Sequence, residues 1–180
     1  MLIAKEKRTS NIGEYFLYMY QVEDLLRACQ FESELIEEHL ISHYNTDTLT
    51  KSQINNWYLG LSELMVEEKL HKTGHLGFIN NLFDEVFDFH KYLLQNKDYR
   101  IYQQAYKKCT HSISQLKQKY PEVDNEIQLM VNAIYGIFVL KLKKQVITED
   151  TQQSVVLFAS LLSDLSKKFS DYEKGALKIE

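Results

Sequence analysis

The stretch YRIYQQAYKKCTHSISQLKQKY, residues 99–120, sets Tyr99, Tyr102, Tyr106, Cys109, Ile113, Leu116 and Tyr120 at alternating steps of three and four. Side chains so spaced lie on one face of an α-helix. A seam that averages 3.5 residues per turn follows a neighbouring helix crossing at about 20°, as in bundles, rather than at about 50° as in globins. The spacing predicts one continuous helix over 99–120 inside an all-α, up-and-down bundle.

The same period extends outward. Asn11-Ile-Gly-Glu14 has the form of a capping box, and Ile12, Tyr15, Met19, Val22, Leu26 and Cys29 follow at steps of three and four. A second stripe, Phe16, Tyr20, Glu23 and Arg27, runs beside the first, so this helix meets more than one neighbour. Residues 32–44 read as a short helix with Ile36 and Leu40 inward. A box at Thr50-Lys-Ser-Gln53 opens a helix with Ile54, Trp57, Leu61 and Leu64 on its seam, ending near His71. The next carries Ile79, Leu82, Val86, Phe89 and Leu93, with Phe83, Phe87, His90 and Leu94 alongside. Pro121 suits the first turn of a helix over 123–144, whose middle is apolar almost all round and which is therefore placed at the bundle centre. Thr148 caps the last helix, with Val155, Phe158, Leu162, Leu165, Phe169 and Tyr172 on its seam and Gly175 at its end. About seven helices result, in a single domain over 1–180, with no internal repeat and no low-complexity linker.

Composition narrows the functional classes. Six glycines and one proline in 180 residues are too few turn formers for an all-β chain. The formal net charge of −4 provides no field for a phosphate backbone, so nucleic acid is not an expected partner. The longest strongly apolar stretch, Ile134–Leu142, is interrupted by Lys141 and falls short of the ~20 residues of a membrane span. The start of the chain carries its basic residues after a short apolar run, the reverse of a secretion signal. A soluble cytoplasmic protein without a membrane partner is expected. Cys29 and Cys109 fall on apolar seams and read as small hydrophobes.

Several constellations could carry chemistry. Glu23, Asp24 and Arg27 combine a planar donor fork with two carboxylates, and Tyr15, Tyr18 and Gln21 lie one turn earlier, so this edge could bind a polar ligand. An ion pair on a solvated flank, or a polar clamp between helices, accounts for the same residues. His39 with His43, and His71 with His75, have a spacing that can present two imidazoles to a metal, but two ligands do not make a site and no metal is expected. The carboxylate-bridged di-iron pattern of helix bundles needs two Glu-x-x-His motifs, which the chain does not supply. His90 sits in an apolar stripe near Asp84, Glu85 and Asp88, which suits a proton-transfer group or a buried, hydrogen-bonded histidine. The candidate ligand residues are therefore Tyr15, Tyr18, Gln21, Glu23, Asp24, Arg27, His75 and His90. No phosphate loop, nucleophile turn or Cys-x-x-Cys pair is present, no cofactor is expected, and catalysis is left open.

The opening Met1-Leu-Ile-Ala-Lys-Glu-Lys-Arg8 and the string Glu14-Tyr-Phe-Leu-Tyr-Met-Tyr-Gln-Val-Glu-Asp-Leu-Leu-Arg27 resemble a bacterial family of all-helical domains of unknown function, of about this length. Trp57-Tyr58, Gly74-His-Leu76, Ala133-Ile-Tyr-Gly136 and Ile147-Thr-Glu-Asp-Thr151 are similar to it as well, so the resemblance covers essentially the whole chain. It implies a bacterial cytoplasmic protein and carries no activity, cofactor or catalytic residue. Because several helices show two apolar flanks, the leading functional expectation is a non-enzymatic interaction module that forms a homo-oligomer, most simply a dimer, or binds a protein partner. The alternative is a small-molecule binder or cryptic enzyme with its polar site on the first of these helices.

Overall fold

A computed structural model describes residues 2–177, and every regular element among them is helical. The helices are α1 (Leu2–Ser10), α2 (Ile12–Ala28), α3 (Ser33–Ile36), α4 (Thr48–Glu67), α5 (Gly77–Gln95), α6 (Arg100–Lys119), α7 (Glu126–Leu142) and α8 (Glu149–Glu173). The continuous helix expected over 99–120 is α6, with Tyr102, Cys109 and Ile113 buried. The added helix is α1, too short for a period to be legible in sequence. Among the described residues no helix is long and apolar enough to cross a membrane.

The chain divides into two compact units, each built from two separate stretches. One runs from the chain start to Glu6 and over Tyr18–Asn80, the other over Lys7–Leu17 and from Asn81 onward. In the first, Met19, Val22 and Leu26 of α2 are buried, as are Ile36, Ile41 and, on α4, Ile54, Tyr58, Leu61 and Met65. In the second, Phe16 stacks on Phe83 with ring centroids 3.7 Å apart, and Val86, Tyr102, Met130, Phe158 and Phe169 are buried. The Gly13 N–H donates to Ser166 Oγ at 3.1 Å, and Arg8 grips Glu173 through its two terminal guanidinium nitrogens at 2.8 and 2.7 Å.

Local structure departs from the sequence reading at four places. After α3 the backbone widens into a π turn, Glu37–Ile41, closed by a Ser42 N–H to Glu37 carbonyl bond of 2.9 Å. The extra residue per turn brings Ile41 inward five positions after Ile36, so Leu40 is only half-buried. On α4 the inward stripe is Ile54, Tyr58, Leu61 and Met65; from Ile54 a first step of three or four is equally helical, and the packing chose four. Its cap is Asp47, whose carboxylate accepts the Thr50 N–H at 2.9 Å, and it ends at Glu67 rather than near His71. Pro121 lies in a turn before α7, which opens instead at Asn125, whose side-chain oxygen accepts the N–H groups of Ile127 and Gln128, each at 3.1 Å. The first half of α7 is interior, whereas Phe138, Leu140 and Leu142 in its second half are exposed.

Because neither unit is a continuous stretch of chain, the protein is expected to melt as one domain. Calorimetry should then give a single transition with matching calorimetric and van't Hoff enthalpies, and two resolved transitions would separate the units.

Candidate functional site

The polar edge of α2 closes on the loop between α4 and α5. Glu23 has no exposed surface. One carboxylate oxygen accepts the Leu76 N–H at 2.9 Å, and the other lies 2.6 Å from His75 Nδ1. The His75 imidazole lies flat on Tyr20, with centroids 3.7 Å apart and planes 6° from parallel, and its side chain keeps 21% exposure. One turn on, Arg27 donates through Nε to the Leu70 carbonyl at 3.0 Å, through one terminal nitrogen to Asp24 at 2.9 Å, and through the other to the Gly74 carbonyl. Gly74 has φ +95°, a conformation that favours glycine, and this turn aims its carbonyl at the guanidinium.

Two further groups hold the same loop. The Glu68 carboxylate accepts the Gly77 N–H at 2.7 Å, and Asn80 Nδ2 donates to the His75 carbonyl at 2.9 Å. A helix turn places residues 20, 23, 24 and 27 on one side of α2, and the loop returns along that side. Both Glu23 oxygens and the Arg27 fork are engaged by the chain itself. Chemically, the arrangement fixes one imidazole edge by a carboxylate and the ring by an aromatic face, which orients Nε2.

The remaining α2 candidates lie apart from this cluster. Tyr18 lies against Trp57 at a centroid distance of 6.4 Å, and burial pushes its phenol up to about 12. Tyr15 sits beside Phe16 in the other unit, and Gln21 is half-buried. Among the described residues no three His, Cys, Asp or Glu side chains gather as a metal set. His39 and His43 are exposed, and His71 meets the edge of Phe31 at 5.5 Å.

His90 belongs to a separate network in the second unit. Its side chain is 1% exposed, Nδ1 lies 2.5 Å from the Tyr102 hydroxyl, and Nε2 has no hydrogen-bond partner. Glu126 Oε2, 4.0 Å from Nε2, accepts the Tyr106 hydroxyl at 2.7 Å, while Lys117 donates to Oε1 at 2.9 Å. Burial lowers the His90 imidazole to about 4, a shift only partly opposed by Glu126. Burial alone would raise Glu126, but the bonds from Lys117 and Tyr106 outweigh it and hold the carboxyl below its ordinary value. The acids Asp84, Glu85 and Asp88 near His90 in sequence do not form this network; Tyr102, Tyr106 and Glu126 do, and only their first-turn or seam positions hinted at it.

Two measurements follow from these geometries. Glu23→Ala leaves the Leu76 N–H buried without an acceptor and opens a void, so urea unfolding should show a loss of about 2–4 kcal/mol, with Glu23→Gln losing roughly half as much. His90 is depressed in the folded state relative to its ordinary 6.5, so the unfolded chain binds the proton first. The neutral imidazole therefore adds stability above pH 6.5 that is lost as pH falls toward 4. His90→Gln should flatten that part of the stability profile relative to the parent protein, and parallel profiles would contradict the assignment.

Over residues 1–176 the chain matches a family described as a domain of unknown function, DUF4924. No curated protein and no solved structure matches it.

Proposed function

The chain belongs to the DUF4924 family, and we propose that it acts as a non-enzymatic interaction module that self-associates through the outer face of α7. One observation carries the reading: Phe138 and Leu142, one turn apart on α7, are 40% and 67% exposed, and Val146 just beyond the helix is 97% exposed. Tyr135 extends the row, its ring 6.1 Å from that of Phe138. Scattered exposed hydrophobes are ordinary, but a row along one helix face is the kind of surface that a partner covers. A two-fold dimer would set this row against its own copy, so one patch serves both partners.

The net charge of −4 supports a reading without nucleic-acid partners, and the absence among the described residues of a helix fit to cross a membrane supports one without a membrane-spanning role. The resemblance noted in the sequence supports a bacterial cytoplasmic setting. The runner-up, a small-molecule or catalytic site on the polar edge of α2, draws support from the 2.6 Å Glu23–His75 contact. Against it stands the engagement of the groups by the chain itself: Arg27 bonds two backbone carbonyls, one Glu23 oxygen accepts the Leu76 N–H, and the other pairs with His75.

Light scattering on eluting protein tests the proposal. The parent chain should run as a dimer at tens of micromolar, and Phe138→Asp with Leu142→Glu should run as a monomer with an unchanged circular dichroism spectrum. A parent chain that stays monomeric at millimolar concentration would sink the idea.

A further inference from the structure

Helices α6, α7 and α8 leave between them a groove of about 440 Å³, within the range of small-molecule sites. Its walls are Leu116 of α6, Ile137 of α7, and Val155 and Phe158 of α8. On the α7 side the wall is cut back at Ala133 and Gly136, one turn apart. Gly136 has no left-handed φ to require it, and a Cβ added there would meet no atom within 4 Å. Glycine inside a helix is less stable than alanine, so the missing side chain serves neither helix formation nor close packing. What it leaves is room in the groove.

The polar lining is one-sided in charge. Ser112 and Ser154 hydrogen-bond across one side at 2.9 Å, and Ser154 also donates to the Asp150 carbonyl. Among the described residues Lys119 is the only charged one on the lining, and no carboxylate lines it. The surrounding chemistry therefore suits a molecule with an apolar body and one negative end, and it disfavours a cationic one.

We propose that this groove binds a small amphipathic carboxylate, its hydrocarbon part on Leu116, Ile137, Val155 and Phe158 and its carboxylate at Lys119. The site is independent of the polar edge of α2 and of the outer row on α7. It makes the protein a carrier or sensor of short aliphatic acids in addition to any assembly role.

Octanoate, octanol and octylamine are the probes, titrated into the full chain by calorimetry and followed by amide chemical shifts. Octanoate should bind saturably at one site, with shifts centred on Ala133, Gly136 and Val155, and octylamine about tenfold more weakly or not at all. Gly136→Phe fills the open space and should weaken octanoate at least tenfold, with its melt recorded as the check on folding. Lys119→Gln, on exposed surface and without packing cost, should weaken octanoate about tenfold while leaving octanol unchanged. Absence of saturable octanoate binding overturns the proposal, as does binding undiminished in both variants. Equal affinity for octanoate and octylamine overturns the assignment of a negative ligand.

Discussion

Glu23 has no exposed surface, and a carboxylate taken wholly out of water is tolerated only where hydrogen bonds replace its hydration. Here they come from the Leu76 N–H and from His75, both on the loop that follows α4. The requirement runs in both directions. The loop has no regular structure to satisfy its own backbone groups, and Arg27 of the same helix takes two of its carbonyls. The buried carboxylate of the helix and the unpaired backbone groups of the loop thus satisfy one another.

The other unit solves a similar problem with less complete pairing. His90 is as deeply buried as Glu23, but one of its ring nitrogens is left without a partner, 4.0 Å from a carboxylate already bonded to Lys117 and Tyr106. A neutral imidazole tolerates one unmade hydrogen bond far better than a charged one tolerates burial, which is why the proton is driven off the ring rather than held. Two buried polar centres thus differ in kind: one is a saturated clamp, the other a poised group whose protonation works against the fold.

Around these centres the surface is uneven. The first half of α7 is interior and its second half presents Phe138, Leu140 and Leu142 to solvent, although the middle of the helix is apolar almost all round. An all-round apolar helix in a bundle is normally covered on every side. Cover of α7 is incomplete: the helix borders the groove at Gly136 and carries the exposed row at Phe138 and Leu142. The interaction reading and the ligand reading arise from this one shortfall in coverage, on different sides of the helix.

The sequence by itself determined that the chain is helical, where α2, α5, α6 and α8 run, and that Ile79, Val86 and Leu93 of α5 and Tyr102, Cys109 and Ile113 of α6 face inward, because a period of 3.6 is a local property written in every turn. The capping role of Thr148 was equally local, since its side chain reaches only to Thr151. Tertiary structure alone decided the choice between Trp57 and Tyr58 as the inward residue of α4, the widening at Glu37–Ile41, and the bonding of Glu23 to a loop more than fifty residues away. It also decided that His90 pairs with Tyr102 and approaches Glu126 rather than the acids beside it in sequence. Each of these depends on which distant surface arrives at a given face, and a repeat of apolar side chains announces that a face is buried without naming its partner.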